Sequence, residues 1–162
     1  MQSKQDERQE LALQVESRAV YLLSMREHGR KELANKLIQK FAEVENHPGL
    51  VDFVLDKCVE NNWLSDERYI EAYVRQSMEK GQGPYKIRQT LRQRTSREDL
   101  VEAHLAMEDS DWADLAKEVL QKKYGESSGS LERKEQAKRM RFLQSRGFSQ
   151  SQIWKAFYYI QN

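Results

Sequence analysis

Trp63-Leu64-Ser65-Asp66, read beside Glu108-Asp109-Ser110-Asp111, reveals a chain that repeats itself. A shift of about 45 residues carries Ser65-Asp66 onto Ser110-Asp111, Ile70 onto Leu115 and Val74 onto Val119, and brings Gly81 within a residue of Gly125. Looking backward, Tyr73-Val74 and Gly81 superpose on Tyr21-Leu22 and Gly29, which places a third copy near the N-terminus. A period of this length is the signature of helical units that each expose an apolar face until a neighbour covers it. The expected fold is all-α, an elongated array of three tandem three-helix repeats over residues 11–64, 65–109 and 110–162. Residues 1–10 contain no large apolar side chain beyond Met1, cannot repay the entropy of ordering, and are expected to form a disordered tail.

Helical spacing of apolar residues defines the elements. In the first repeat these are Val15, Ala19, Leu22 and Leu23; then Leu33, Leu37 and Phe41; then Val51, Val54, Leu55 and Cys58, with Pro48 at the first helical position and Asn61-Asn62 as a left-handed cap. The second repeat opens with Ser65-Asp66 as capping residues and runs Tyr69, Ile70, Tyr73, Val74 and Ser77 along one stripe. It restarts at the joint Gly81-Gln82-Gly83-Pro84 with Ile87 and Leu91. Thr95 and Glu98 have capping-box spacing before Leu100, Val101, His104 and Leu105. The third repeat is capped by Ser110-Asp111 and carries Trp112, Leu115, Ala116, Val119 and Leu120. A flexible Glu126–Ser130 connection follows, then Ala137, Met140 and Leu143, a stop at Gly147, and a Ser149/Gln152 capping box before Ile153, Trp154, Ala156, Phe157 and Ile160.

The net charge of +1 hides an uneven layout. Arg68 to Arg97 holds eight bases against two acids, Glu98 to Glu118 eight acids against one base, and Leu131 to Arg146 six bases against two acids. The single cysteine, Cys58, cannot close an internal disulfide and falls on an apolar face, so it reads as a buried structural thiol. No apolar run reaches the ~20 residues of a membrane span, so a soluble protein of a reducing compartment, the cytoplasm, is expected, with no membrane partner.

Converging catalytic groups are sparse. His28, His47 and His104 fall in different elements without metal or nucleophile-base spacing, and Gly81-Gln82-Gly83-Pro84 lacks the Lys-Ser/Thr ending of a phosphate loop. The chain therefore reads as a non-enzyme that needs no cofactor. The stronger constellation is basic. Arg88 and Arg92 are neighbours at i and i+4, flanked by Arg75, Lys80, Lys86, Arg94 and Arg97, with Tyr85 beside them as a stacking candidate. On the corresponding helix of the third repeat Lys134, Lys138 and Arg141 climb one face, with Arg139 and Arg146 nearby. Two such bands suit a phosphodiester backbone, while the acidic positions between them suit a basic protein surface.

Trp63-Leu64-Ser65-Asp66-Glu67-Arg68-Tyr69-Ile70, then Tyr73-Val74, then Lys80-Gly81-Gln82-Gly83-Pro84-Tyr85-Lys86-Ile87 resembles the central signature of the RecX regulatory family. The likeness continues through Leu91 and Arg94 and through Arg141-Phe142-Leu143-Gln144-Ser145-Arg146-Gly147-Phe148. Two positions depart from the family pattern: Asn62 stands where glycine is usual, and Arg94-Thr95 where a Lys-Gly step is usual. The resemblance implies a bacterial modulator of the RecA recombinase that acts on the RecA filament; a monomer is expected. It would lodge in the filament's groove on single-stranded DNA and suppress ATP hydrolysis, filament growth and strand exchange. The alternative reading is a stand-alone, sequence-nonspecific DNA-binding helical-repeat protein.

Overall fold

The computed structural model describes residues 3–125 and 131–161; the Glu126–Ser130 connection, the first two residues of the expected tail and the packing expected of Ile160 lie outside them. Among the described residues there are nine α-helices and no strand: α1 (Lys4–Met25), α2 (Arg30–Lys40), α3 (Leu50–Glu60), α4 (Asp66–Glu79), α5 (Pro84–Arg92), α6 (Glu98–Leu105), α7 (Asp109–Tyr124), α8 (Arg133–Ser145) and α9 (Gln150–Gln161). The order is that of three successive helix triplets. None of these helices is long and apolar enough to cross a membrane.

Several local expectations need correction. Residues 4–10 are not a tail: Ser3 accepts the Asp6 amide as N-cap of α1, and the Arg8 guanidinium reaches the Pro48 carbonyl at 3.4 Å. Leu11, Val15 and Ala19 are buried further along the same helix, and a helix already nucleated there extends backward at low entropic cost. Pro48 is not the first residue of α3. It lies in the turn after a short 3-10 segment, Ala42–Asn46, and Gly49 at φ 85° caps the helix that begins at Leu50. Thr95 forms no box with Glu98, because its hydroxyl accepts the Arg97 amide instead. Ser110-Asp111 sit inside the first turn of α7, whose N-cap is Glu108. The Ser149/Gln152 box does form, the Gln152 amide donating to Ser149 Oγ at 3.2 Å and the Ser149 amide to Gln152 Oε1 at 2.9 Å.

By contact the chain divides into two compact units, one of Met1–Ala72 with Arg92–Glu98, the other of Tyr73–Leu91 with Asp99–Asn162. These do not follow the repeat borders, since α4 and α5 each contribute to both. In the first unit, Leu11, Val15 and Ala19 of α1, Leu33 and Leu37 of α2, and Val54, Leu55 and Cys58 of α3 form one buried cluster. Burial pushes the Cys58 thiol up, as suits an inert packing group. In the second unit α7 lies against α9, and Trp112 and Phe157, each 1% exposed, are its largest fully buried side chains. Side chains of that size contribute roughly 2–3 kcal/mol each on burial.

Each unit contains the same kind of backbone joint. In the first, Gly29, at the N-cap of α2, packs against the Arg94 carbonyl so closely that an added Cβ would collide with it, and that carbonyl accepts the Glu32 amide at 3.1 Å. In the second, the Gly83 amide donates to the Arg146 carbonyl at 2.7 Å and the Tyr85 amide to the Gly147 carbonyl at 2.9 Å. A Cβ on Gly83 would fall 2.6 Å from the Gly147 carbonyl carbon and 2.7 Å from the Phe148 nitrogen. The joint explains why residues 92–98 belong to the first unit: the turn after α5 is seated on the start of α2. Another amide at the start of α2, that of Arg30, donates to Asp66 Oδ1 at 2.9 Å, so Asp66 caps a helix of the preceding triplet. At the equivalent place in the second repeat Pro84 has no amide to satisfy.

Asn62 adopts φ 61°, the one non-glycine residue in the left-handed region among those described, and its carbonyl and side-chain oxygens both accept from Arg68 at 2.9 Å. The departure from glycine at this position thus keeps the conformation that glycine would supply.

Gly83 has an ordinary backbone conformation, so a substitution there acts through collision alone. Gly83→Ala is expected to lower the urea midpoint by the equivalent of about 1–3 kcal/mol, whereas Asn62→Gly is expected to leave it within a few tenths of a kcal/mol; a Gly83→Ala protein as stable as the parent would contradict the joint.

Candidate functional site

The structure sorts the sequence-predicted basic residues by what they touch. Arg88 is half-buried and engaged: its Nε and Nη2 donate to the two oxygens of Glu102 at 2.6 and 3.1 Å, and its guanidinium lies 5.6 Å from the Tyr85 ring centroid. The expectation that Arg88 projects from α5 toward an external phosphate therefore gives way to an ion pair with α6, which also draws one member out of the acidic stretch. Tyr85 remains exposed and lines an opening of about 780 Å³ with Arg88, Trp112 and Gln152.

Arg94 is structural. Its Nη1 donates to the Tyr69 hydroxyl at 2.7 Å and its Nε lies 3.7 Å from Glu32 Oε2, a carboxylate held from the other side by Arg26 at 2.8 Å. Burial alone would raise the Glu32 carboxyl, but the hydrogen bonds and charge of Arg26, with Arg94 beside it, outweigh it and hold the group below its usual range. Close by, His28 is 1% exposed, with Nδ1 3.1 Å from the Arg26 carbonyl and Nε2 3.0 Å from Lys36 Nζ. A carbonyl can only accept and an ammonium only donate, so a neutral ring protonated at Nδ1 fits both. Burial pushes the imidazole pKa down, and the Arg26 and Lys36 charges add to the shift.

In the second unit Arg139 is half-buried, paired with Glu135 at 3.1 Å and 4.4 Å from the Tyr124 ring centroid. Arg75, Lys80, Lys86, Lys134, Lys138 and Arg141 of this unit are exposed, as are Arg92 and Arg97 of the first. Lys134, Lys138 and Arg141 lie at spacings of four and three on α8, so the stripe expected there exists and faces solvent.

Two residues from different predicted bands do meet. Arg146 Nη1 donates to the Lys80 carbonyl at 3.2 Å, and both side chains line a cleft of about 520 Å³ at the ends of α4, α7 and α8. The same cleft holds Phe142 and two lysines outside both expected basic bands, Lys122 and Lys123. Lys123 Nζ lies 4.2 Å and the Arg146 guanidinium 5.1 Å from the Phe142 ring centroid, while Tyr124 meets Phe142 edge-on at 5.8 Å. A signal for the two lysines existed. They stand seven and eight residues after Leu115, on the face that carries Val119, but they follow the acidic run and belong to none of the three charge blocks.

Family models describe the same segments. The second three-helix domain of RecX matches residues 65–105 and the third matches residues 109–157. Regulatory protein RecX of Vibrio parahaemolyticus is 40% identical over 146 residues, covering 90% of this chain and 91% of that protein. The chain belongs to the RecX family. Regulatory protein RecX of Halorhodospira halophila is 36% identical over 86% of this chain and 83% of its own length. Among solved structures, RecX from Lactobacillus salivarius superposes with a TM-score of 0.74 at 23% identity, covering 93% of this chain and 97% of that one, which speaks for the fold. A second, titled as regulatory protein RecX, gives 0.72 at 25% identity over 91% of this chain and 73% of that one. The chain is thus a regulator of the RecX family, built on its helix-triplet plan.

His28 yields a pH test. Its folded pKa lies below the ordinary 6.5, so the stability that comes from keeping the ring neutral is present above 6.5 and is lost as pH falls through the depressed folded value. The urea midpoint of the parent is expected to drop between neutral pH and about pH 5, and His28→Gln to flatten that drop; an equal pH slope in parent and variant would remove His28 as the cause.

Proposed function

We propose that this RecX-family chain is a non-enzymatic negative regulator of the RecA recombinase, acting as a cytoplasmic monomer. It binds the RecA–DNA filament in its helical groove and inhibits ATP hydrolysis, filament growth and strand exchange. Family membership supports the regulatory role. The observation that carries the contact surface is the exposed stripe of Lys134, Lys138 and Arg141 on α8, three cations on one helix face. Arg75 and Lys86 of the same unit add exposed positive charge. Phosphates of DNA and carboxylates of a protein both attract such cations, and cations without an ion pair among the described residues meet either without first breaking an internal contact. Arg88, Arg94 and Arg139, held by Glu102, Tyr69 and Glu135, serve the fold and take no part in the contact.

Occupying a groove acts on many recombinase subunits per bound molecule, whereas competition for free DNA acts in proportion to the DNA covered. Substoichiometric protein is therefore expected to slow RecA ATP turnover on single-stranded DNA. A variant with Lys134→Glu, Lys138→Glu and Arg141→Glu should keep its helical circular dichroism yet need at least about tenfold more protein for the same inhibition. Unchanged inhibition by that variant would remove the α8 stripe from the interface. Tight, steeply salt-dependent binding to single-stranded DNA without RecA would instead favour the stand-alone DNA-binding reading.

A further inference from the structure

The cleft of about 520 Å³ has a composition that the filament contact does not use. Leu115, Val119 and Phe142 supply apolar surface, and Lys80, Lys122, Lys123 and Arg146 surround it, against two acids, Glu79 and Glu118. We propose that this cleft docks a short acidic segment of a partner protein, one apolar side chain resting on Leu115 and Val119 and flanking carboxylates meeting the four cations.

Charge complementarity carries the assignment. Elsewhere in this unit the half-buried guanidinium groups have carboxylate partners, Arg88 with Glu102 and Arg139 with Glu135. The cleft gathers four cations around apolar surface, and among the described residues no carboxylate forms an ion pair with them. Two of them are also pre-positioned. Lys123 and Arg146 rest on Phe142 at 4.2 and 5.1 Å, and Arg146 is further fixed by its hydrogen bond to the Lys80 carbonyl. Cations immobilised before binding lose little side-chain entropy when a carboxylate arrives.

A peptide fits better than a nucleic acid. Base stacking needs a free aromatic face, but Phe142 already carries two cations and packs T-shaped with Tyr124. Glu79 and Glu118 in the lining would repel a run of phosphates, whereas a peptide backbone can present its own amides to them. The apolar floor likewise rewards a leucine-sized side chain, which a phosphodiester lacks.

The test uses the full chain and a fluorescently labelled peptide in which acidic residues flank a central leucine. Saturable binding is expected, weakened by at least about tenfold in a protein carrying Lys122→Glu with Lys123→Glu, and weakened in the same direction by Lys80→Ala, which guards against misfolding of the double variant. Replacing the peptide's leucine by serine should also weaken binding, and oligothymidylate of equal charge should not displace the peptide. Failure of the peptide to bind, binding that both variants leave unchanged, or indifference to the serine replacement would overturn the proposal. Displacement by oligothymidylate would do so too, assigning the cleft to a phosphodiester.

Discussion

Backbone docked on backbone, with no side chain between, is the constraint on which this fold rests. At Gly29 and again at Gly83 the chain enters a helix so close to a later turn that only a hydrogen atom fits, and amides near those glycines are satisfied by carbonyls of that turn. A helix start carries amides without partners in its own helix. Supplying them from another backbone fixes position and orientation at once, in a way that interdigitating side chains do not. Because the turn after α5 is drawn onto the start of α2, and the turn after α8 onto the start of α5, the compact units cut across the sequence repeats.

The joints also decide which charges stay available. Arg94 and Arg146 each lend a carbonyl to a joint, and each guanidinium is then held near its own turn, Arg94 on the Tyr69 hydroxyl and Arg146 on the Lys80 carbonyl. Arg94 is thereby committed to a network with Glu32 and Arg26, whereas Arg146 joins a cleft whose lining carboxylates, Glu79 and Glu118, form no ion pair with it among the described residues. Residues at matching places in successive repeats thus diverge in role through the partners that surround them, and the charge of a run says little until those partners are known.

Much of the architecture was legible because it depends on short-range patterns. Of the stripe Tyr69, Ile70, Tyr73, Val74 and Ser77, all but the half-buried Tyr73 are buried, Leu143 and Phe157 are core residues, and the Ser149/Gln152 box closes. What escaped depends on distant partners. Asp66 has the spacing of a cap for its own helix, but its carboxylate serves Arg30, thirty-six residues earlier. Arg88 has the spacing of a surface stripe, but Glu102 stands opposite it once α6 folds back. Residues 4–10 lack apolar side chains and yet continue a helix anchored further on. The cleft was invisible for the same reason, since Lys80, Lys123 and Arg146 come from three helix ends that nothing in their local sequence links.

Native-state amide hydrogen exchange at Glu32, Gly83 and Tyr85 reads the joints themselves, because these amides are protected only if the joints exist. With the joints in place, these amides are expected to exchange as slowly as that of Leu120 within α7. Exchange at the rate of an open peptide, with α7 still protected, would show that the helices form without the joints and would contradict their role in the fold.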